Sequence, residues 1–438
     1  MTVDPVGTAS IQVDCRKRHQ TIDGFGLNIN SKYWNGGKIE PIMEMLIDDL
    51  GATIFRQDVY GRSDWVDPSS RFNSSVLSEE NLARIYAGPE FVAGTGMGRY
   101  INSRGLEPYM TVSGIVPKWM CAGDGVTLKD FKSFARMIGS FALWARKKAG
   151  IKYTLLGPMN ETDIGPPEGP KANPAVYVKA CEALVTELDR LGLKDLKLVV
   201  AEQAHYDLEF IKAFGKSRKL VGRIGAFGMH NYGGSRMHDA VALAGKGIHK
   251  KARVWMTEYG DLDQSGEREW FVAWMTFKRL LWLLEDGMQA ALNWDAFDNY
   301  HDHDESWSVY GLVRCGIRTY TPKKRFYACK HIYRYTRPGW VRVGVESVPG
   351  LPSVAFVSPD GKNLTVAGMN ETGKDLMLDV NISDDDGAFR KSKFDIYRTS
   401  VFDSCSRIAQ MAPDLRNWPP YSARFIVPAE SIFSVATA

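Results

Sequence analysis

Paired cysteine is what this sequence most plainly lacks. Six cysteines (Cys15, Cys121, Cys181, Cys315, Cys329, Cys405) are scattered over 438 residues with no Cys-x-x-Cys. That spacing excludes zinc ribbons and thioredoxin-type redox sites. A disulfide framework is not expected in so long a chain, although one bridge would fit. Cys181 falls on an apolar helical stripe and reads as a buried thiol. No apolar run approaches the roughly 18 residues of a membrane-spanning helix. Neither sign of charge dominates: 55 basic and 51 acidic residues are interspersed, for a net +4. With no basic run, a nucleic-acid partner is not expected. Gly-x-Ser-x-Gly is absent, which argues against a Ser-His-Asp hydrolase. The glycines of Asp23-Gly-Phe-Gly26 lack GxGxxG spacing, which argues against a doubly wound nucleotide-binding sheet. The first residues, Met1 to Thr8, have neither a basic stretch nor an apolar one. The expectation is a secreted or periplasmic protein already relieved of its signal, with a cytoplasmic one as the alternative.

What is present is an ordinary globular composition, 44% hydrophobic and 24% charged. The length exceeds what one core usually serves, so a large domain and a smaller one are expected. Twelve Trp and eighteen Tyr bring flat apolar faces with a polar edge. Such faces suit sugar rings and also fill cores.

From about residue 20 to 300 strand and helix patterns alternate. The strands are expected at Thr21–Leu27, Ala52–Asp58, Glu107–Val112, Tyr153–Met159, Leu196–Ala201, Ile224–His230, Ala252–Glu258 and Ala290–Trp294. Amphipathic helices are expected at Ile39–Leu50, Leu128–Ala149 (capped by Thr127), Pro174–Leu191 and Glu267–Asp286. Eight such repeats make a (β/α)8 TIM barrel of the α/β class. After about residue 335 short alternating runs appear between Gly, Pro, Asn and Asp turns. They begin at Trp340, Ser353, Asn363, Leu376, Lys393 and Ser422, and they predict a β-sandwich. Ala9–Cys15 also reads as a strand. The expected division is 1–20 as a strand joining the sandwich, 21–334 as the catalytic barrel, and 335–438 as the sandwich. Asn-x-Ser/Thr triplets at Asn73, Asn363, Asn370 and Asn381 would accept glycans.

Two glutamates close apolar strand runs. Glu161 ends Tyr153-Thr-Leu-Leu-Gly-Pro-Met-Asn160-Glu161, and Glu258 ends Ala252-Arg-Val-Trp-Met-Thr-Glu258. A parallel barrel presents its catalytic groups from strand C-termini. Two carboxylates on different strands are what glycosidic cleavage requires, one as acid and one as nucleophile or base. A strand-end Glu can equally be a cap or a salt-bridge partner. Positions on the fourth and seventh strands would face each other across the mouth. Asn160 could hydrogen-bond a sugar hydroxyl, or merely form a turn. Arg56, with Asp58 close by, ends the second strand and could hold a carboxylate ionised or make a structural ion pair. Tyr232 could donate to Glu258. His230 carries less weight, because a lone His is more often a satisfied core residue. Trp294 and Trp119 could stack on sugar or pack in the core. His301 and His303, in Tyr300-His-Asp-His-Asp-Glu305, leave a metal-dependent barrel hydrolase as an alternative.

In order along the chain, several stretches resemble glycoside hydrolase family 30 of the retaining clan A. Gln20-Thr-Ile-Asp-Gly-Phe-Gly26 resembles its opening strand, and Pro117-Lys-Trp-Met120 its loop after the third strand. Gly150-Ile-Lys-Tyr-Thr-Leu-Leu-Gly-Pro-Met-Asn160-Glu161 is similar to its acid/base strand. His230-Asn-Tyr232 and Thr257-Glu258-Tyr259-Gly260 resemble its sixth and seventh strand ends. His331-Ile-Tyr-Arg-Tyr-Thr-Arg-Pro-Gly339 is similar to the linker into its sandwich. The resemblance implies Glu161 as acid/base and Glu258 as nucleophile. It also implies a barrel with a sandwich completed by the N-terminal strand. The activity it implies is retaining hydrolysis of β-linked sugars, with no cofactor and no metal. Two features depart from it. Thr162 replaces the usual Pro after the acid/base Glu, and Leu27-Asn-Ile-Asn30 is unusually polar. The expected partner is an oligosaccharide or polysaccharide, with no membrane and no nucleic acid, and the expected state is a monomer or small homo-oligomer. A non-catalytic carbohydrate-binding protein on the same barrel is the other alternative.

Overall fold

The computed structural model describes residues 6–60, 78–263, 265–298, 309–315, 319–384, 387–416 and 420–437. After a first strand, β1 (Gly7–Thr21), eight parallel strands close a barrel. They are β2 (Gly24–Asn30), β3 (Ile54–Tyr60), β4 (Pro108–Ser113), β5 (Leu155–Gly157), β6 (Lys197–Val200), β7 (Ile224–Asn231), β8 (Arg253–Tyr259) and β9 (Ala290–Asn293). Each of the eight strands expected from the sequence corresponds to one of these. Barrel strands are buried on both faces, so they read as near-continuous apolar runs. Every residue of β4 and β7 is buried. Ile54, Tyr109, Val199, Ala226, Trp255, Ala290 and Leu292 plug the interior as one cluster. Trp255 belongs to this plug, where its Nε1–H donates to Asp23 Oδ2 at 2.7 Å.

Helices α1 (Glu40–Glu44), α2 (Glu79–Ile85), α3 (Pro89–Ser103), α4 (Phe131–Lys147), α5 (Pro174–Arg190), α6 (Leu208–Phe214), α7 (His238–Ala244), α8 (Glu269–Glu285) and α9 (Lys324–Tyr333) surround it. Two expectations need correction. The helix expected over Ile39–Leu50 is split into α1 and a π-helical turn, Met45–Leu50, that ends at Gly51 with φ 87°. The cap of α4 is Asp130, whose carboxylate accepts from the Ser133 N–H at 3.0 Å. Thr127 instead lies in a preceding turn, where it donates to Asp124.

The remaining strands are β10 (Val313–Cys315), β11 (Tyr320–Pro322), β12 (Val341–Glu346), β13 (Ser353–Val357), β14 (Leu364–Met369), β15 (Leu376–Ser383), β16 (Phe394–Thr399), β17 (Ser406–Met411), β18 (Tyr421–Val427) and β19 (Ile432–Thr437). The first two form a short hairpin. The other eight join β1 in a sheet ordered β17-β16-β19-β14-β13-β12-β1-β15-β18. This is the β-sandwich, whose inner residues share one core from Ile11 and Val13 to Val435. The N-terminal strand lies inside it, antiparallel to β12 and parallel to β15. Besides the β10–β11 hairpin, two strands of this sheet were not expected from the sequence. β17 is largely exposed and shows no apolar alternation, and β19 is buried on both faces, so it shows none either.

All six cysteines are unpaired. Among the described residues no helix is long and apolar enough to cross a membrane. Asn370 is fully buried, and its amide donates to three carbonyls, so that triplet cannot carry a glycan. Asn73 lies outside the described residues.

Candidate active site

The site is assembled at the C-terminal ends of the barrel strands, around one buried arginine. Arg56 projects from β3 and is 2% exposed. Its Nη1 stands 2.6 Å from Glu258 Oε1 and 2.8 Å from Asn28 Oδ1, while Nη2 donates to Asn160 Oδ1 at 2.7 Å. Its Nε lies 3.1 Å from Glu202 Oε1, an ion pair whose angle is poor for a hydrogen bond. Burial pushes the guanidinium down. Glu202, then Glu258, outweigh that and hold it well above its ordinary value. A buried charge with this many partners is a fixed structural element.

Glu258 sits on β8, and His230 is its register partner on β7. Its second oxygen, Oε2, accepts from the Tyr232 hydroxyl at 2.5 Å and lies 3.5 Å from His230 Nδ1. Burial raises the Glu258 carboxyl above its ordinary value. His230, Arg56 and the Tyr232 hydroxyl oppose the rise, and Glu161 adds to it.

Glu161 lies beyond the end of β5, which is shorter than the run read from the sequence. Its φ is 41°, a left-handed value that costs a non-glycine residue roughly 1–2 kcal/mol. The Glu202 carbonyl holds this turn by accepting from the Glu161 N–H at 2.9 Å. The side chain reaches back so that Oε1 stands 2.7 Å from His230 Nδ1. Burial pushes His230 down, but Glu258 and the hydrogen bond to Glu161 more than compensate and raise the imidazole above its ordinary value. One carboxylate oxygen of Glu161, one of Glu258 and a ring nitrogen of His230 lie within 4.8 Å of one another.

Of the residues singled out by sequence, Glu161, Glu258, Asn160, Arg56, Tyr232 and His230 form this single cluster. His230 is central to it, bridging both glutamates, which corrects the lesser weight given to it above. Trp294 is half-buried and follows β9. Its main-chain N–H donates to the Tyr259 carbonyl at 2.9 Å, next to Glu258. Asp58 is buried and accepts from the Ser113 hydroxyl. Trp119 lies on an exposed turn, Lys118–Met120, at 37% exposure. Sequence reasoning missed Asn28, Tyr109, Glu202 and Asp295. Glu202 had the same signal as Glu161 and Glu258, an apolar run closed by a carboxylate, but the strand was ended at Ala201. Asp295 lies just past β9, and burial, with Asp298 beside it, raises its carboxyl well above the ordinary range.

Glu161, His230 and Glu258 also have the spacing of ligands to an ion. Both oxygens of Glu258 are already engaged, one by a guanidinium and one by a phenol, so a cation would have to compete with both. His301 and His303 lie outside the described residues. A cavity of about 740 Å³ lies between the segment after β2, α3 and the segment after β9, with Tyr33, Trp34, Arg99 and Phe297 in its wall. Among the described residues its lining includes neither glutamate.

No family model matches the sequence, and no curated protein matches it. Solved structures match the fold over nearly its whole length. A glycoside hydrolase family 30 subfamily 8 xylanase from Clostridium acetobutylicum superposes with a TM-score of 0.73 at 16% identity, covering 98% of this chain and 100% of the other. An endo-β1,6-glucanase gives 0.67 at 16% identity, covering 100% of this chain and 94% of the other. A family 39 β-xylosidase from Caulobacter crescentus gives 0.64 at 14% identity, covering 98% of this chain and 99% of the other. At these identities the likeness establishes the fold, a TIM barrel with an attached β-sandwich.

Proposed function

We propose that this protein is a retaining glycosidase of the family 30 type that cleaves β-linked sugars by double displacement. The observation that carries the reading is that one carboxylate oxygen of Glu161 and one of Glu258 lie within 4.8 Å of each other, which leaves no room for a water between them. Retaining enzymes hold the two carboxyl groups about 5–5.5 Å apart, while inverting ones leave about 6.5–9.5 Å for a water.

The surroundings of the two glutamates support different roles for them. Glu258 is the nucleophile, because Arg56 and Tyr232 both stabilise its negative charge. Glu161 has no arginine partner and stands across the site from Glu258, against His230, which suits the acid/base role. In the first step Glu258 attacks the anomeric carbon while Glu161 protonates the departing oxygen. Glu161 is left as a carboxylate, with His230 Nδ1 2.7 Å from its Oε1. In the second step Glu161 takes a proton from water, whose oxygen attacks the anomeric carbon and displaces Glu258. Asn160, held by Arg56, would meet the sugar hydroxyl beside the reacting carbon. The structural relatives include a xylanase, a β1,6-glucanase and a β-xylosidase, which makes β-xylosides and β-glucosides the substrates to try first.

The test is turnover of xylan, β-1,6-glucan and nitrophenyl β-xyloside and β-glucoside, with proton NMR of the first-formed sugar. Retention releases the β-anomer first, and release of the α-anomer first would remove the double displacement. Glu258→Ala should lose activity and, with added azide, yield an α-glycosyl azide. Glu161→Ala should spare substrates with good leaving groups and yield a β-glycosyl azide. Binding without turnover across the panel would favour a non-catalytic carbohydrate-binding protein.

A further inference from the structure

Glu202 is a third carboxylate in this cluster, and the double displacement gives it no bond to make or break. It follows β6 and is fully buried. Its Oε1 stands 3.1 Å from Arg56 Nε, and its Oε2 accepts from the Tyr109 hydroxyl at 2.6 Å. Its main-chain oxygen accepts from the Glu161 N–H at 2.9 Å. Glu202 therefore touches the scaffold of both catalytic groups, through its side chain on one side and its backbone on the other.

The barrel clears space for it. A Cβ at Gly157 on β5 would come 2.9 Å from Glu202 Oε2 and 2.5 Å from the Tyr109 hydroxyl. One at Gly228 on β7 would come 2.8 Å from Glu202 Cγ. Ala201, at φ 79°, turns the chain so that the Glu202 carbonyl meets Glu161. A carboxylate this deep costs several kcal/mol in desolvation, so packing alone is a poor explanation for it.

We propose that Glu202 is a positioning residue for both catalytic glutamates: its side chain orients the Arg56 fork onto Glu258, and its main chain fixes the turn that carries Glu161. This rests on the glycosidase reading. With Glu202 behind it, Arg56 has its Nε side anchored and its two Nη atoms aimed at Glu258, Asn28 and Asn160. The arrangement also divides one positive charge between two carboxylates, so Glu258 keeps basicity that an undivided arginine would remove. The charged and titratable groups facing Glu202 are Arg56 from β3, Tyr109 from β4 and Tyr177 from α5. Those facing Glu258 are Arg56, His230, Tyr232, Glu161 and, beyond β9, Asp295.

Glu202→Gln tests it. The amide oxygen can still face Arg56 Nε, and the amide NH2 can donate to Tyr109, so the fold is retained while the charge is lost. The expected result is a fall in kcat of about ten- to a hundred-fold, the usual loss when the support behind a reacting group is removed. KM should stay within about threefold, since no substrate contact is removed. The acid limb of kcat/KM should shift to lower pH, because Arg56 then acts on Glu258 undivided. Tyr109→Phe should move kcat and the limb in the same directions by less, and it keeps the test open if the Gln variant does not fold. A Gln variant with the kcat and pH profile of wild type overturns the proposal, as does a loss confined to KM. A wild-type protein that turns over no glycoside removes the glycosidase reading and this role together.

Discussion

The Nδ1 atom of His230 lies 2.7 Å from Oε1 of Glu161, sealed from solvent. Burial alone would depress this imidazole, but Glu258 and Glu161 leave it raised above 6.5. A base whose proton is held more tightly in the folded state contributes stability that is complete below its unfolded pKa. That stability is lost as pH rises through the folded value. The advantage of wild type over His230→Asn in thermal unfolding should therefore be largest below pH 6.5 and shrink on the alkaline side. Melting temperatures of both proteins from about pH 5 to about pH 9, spanning the imidazole range, measure it. A gap constant with pH would contradict a protonated bridge.

Tyr232→Phe removes the hydroxyl that donates to Glu258 Oε2 at 2.5 Å. That bond is among the forces opposing the raised Glu258 carboxyl, so its loss raises the carboxyl further. More of the nucleophile is then protonated at a given pH, and the acid limb of kcat/KM should move upward. This is the opposite direction from Glu202→Gln. The rate at neutral pH should fall about tenfold, the equivalent of one hydrogen bond to a charged group. A limb that stays in place would show that Tyr232 does not control the ionisation of Glu258.

The barrel was legible because each strand is buried on both faces and ends in a polar break, as at Ala252–Glu258. The clustering of Glu161 and Glu258 was legible for the same reason, since a carboxylate closing an apolar run stands out. Glu202 passed unnoticed although Leu196–Ala201 leads straight into it, because its partners Arg56 and Tyr109 are distant in sequence. The bridging role of His230 could not be read from composition. It depends on the left-handed turn at Glu161, which bends that side chain back toward β7. Asn28 was visible only as unexpected polarity in the first barrel strand. Its role appears once Arg56, on the neighbouring strand, is seen to use its oxygen.

Arg56→Lys keeps the charge and loses the fork. One ammonium cannot reach Glu258, Asn28, Asn160 and Glu202 together. At least one buried carboxylate is then left without its ion pair, which costs about 3–5 kcal/mol. Chemical denaturation should show a destabilisation of that order, together with a large loss of kcat. A loss below about 1 kcal/mol would mean that the cluster behaves like an exposed salt bridge.

His331 couples α9 to the sandwich, with Nδ1 2.7 Å from Ser434 Oγ and Nε2 2.8 Å from Thr399 Oγ1. Burial, helped by Lys330, pushes this imidazole down from 6.5 to about 3. Between those values the unfolded chain binds a proton that the folded one refuses. Stability is therefore fully present above pH 6.5 and is lost as pH falls toward about 3. The loss approaches ~1.4 kcal/mol for each pH unit in that window. His331→Gln has no such titration, so its stability should fall less steeply on acidification. Denaturation midpoints of the two proteins at neutral and acidic pH decide the point, and parallel curves would rule His331 out as the source.

Chelation should leave turnover unchanged. In the proposed reaction the proton comes from Glu161 and the nucleophile is Glu258, so neither step calls for a Lewis acid. A cation entering the cluster would have to displace the Tyr232 hydroxyl from one oxygen of Glu258 and compete with Arg56, 2.6 Å away, for the other. Activity on a nitrophenyl glycoside, measured before and after prolonged treatment with EDTA, should agree within error. A loss that returns when zinc or another divalent ion is added back would instead favour the metal-dependent reading and direct attention to His301 and His303.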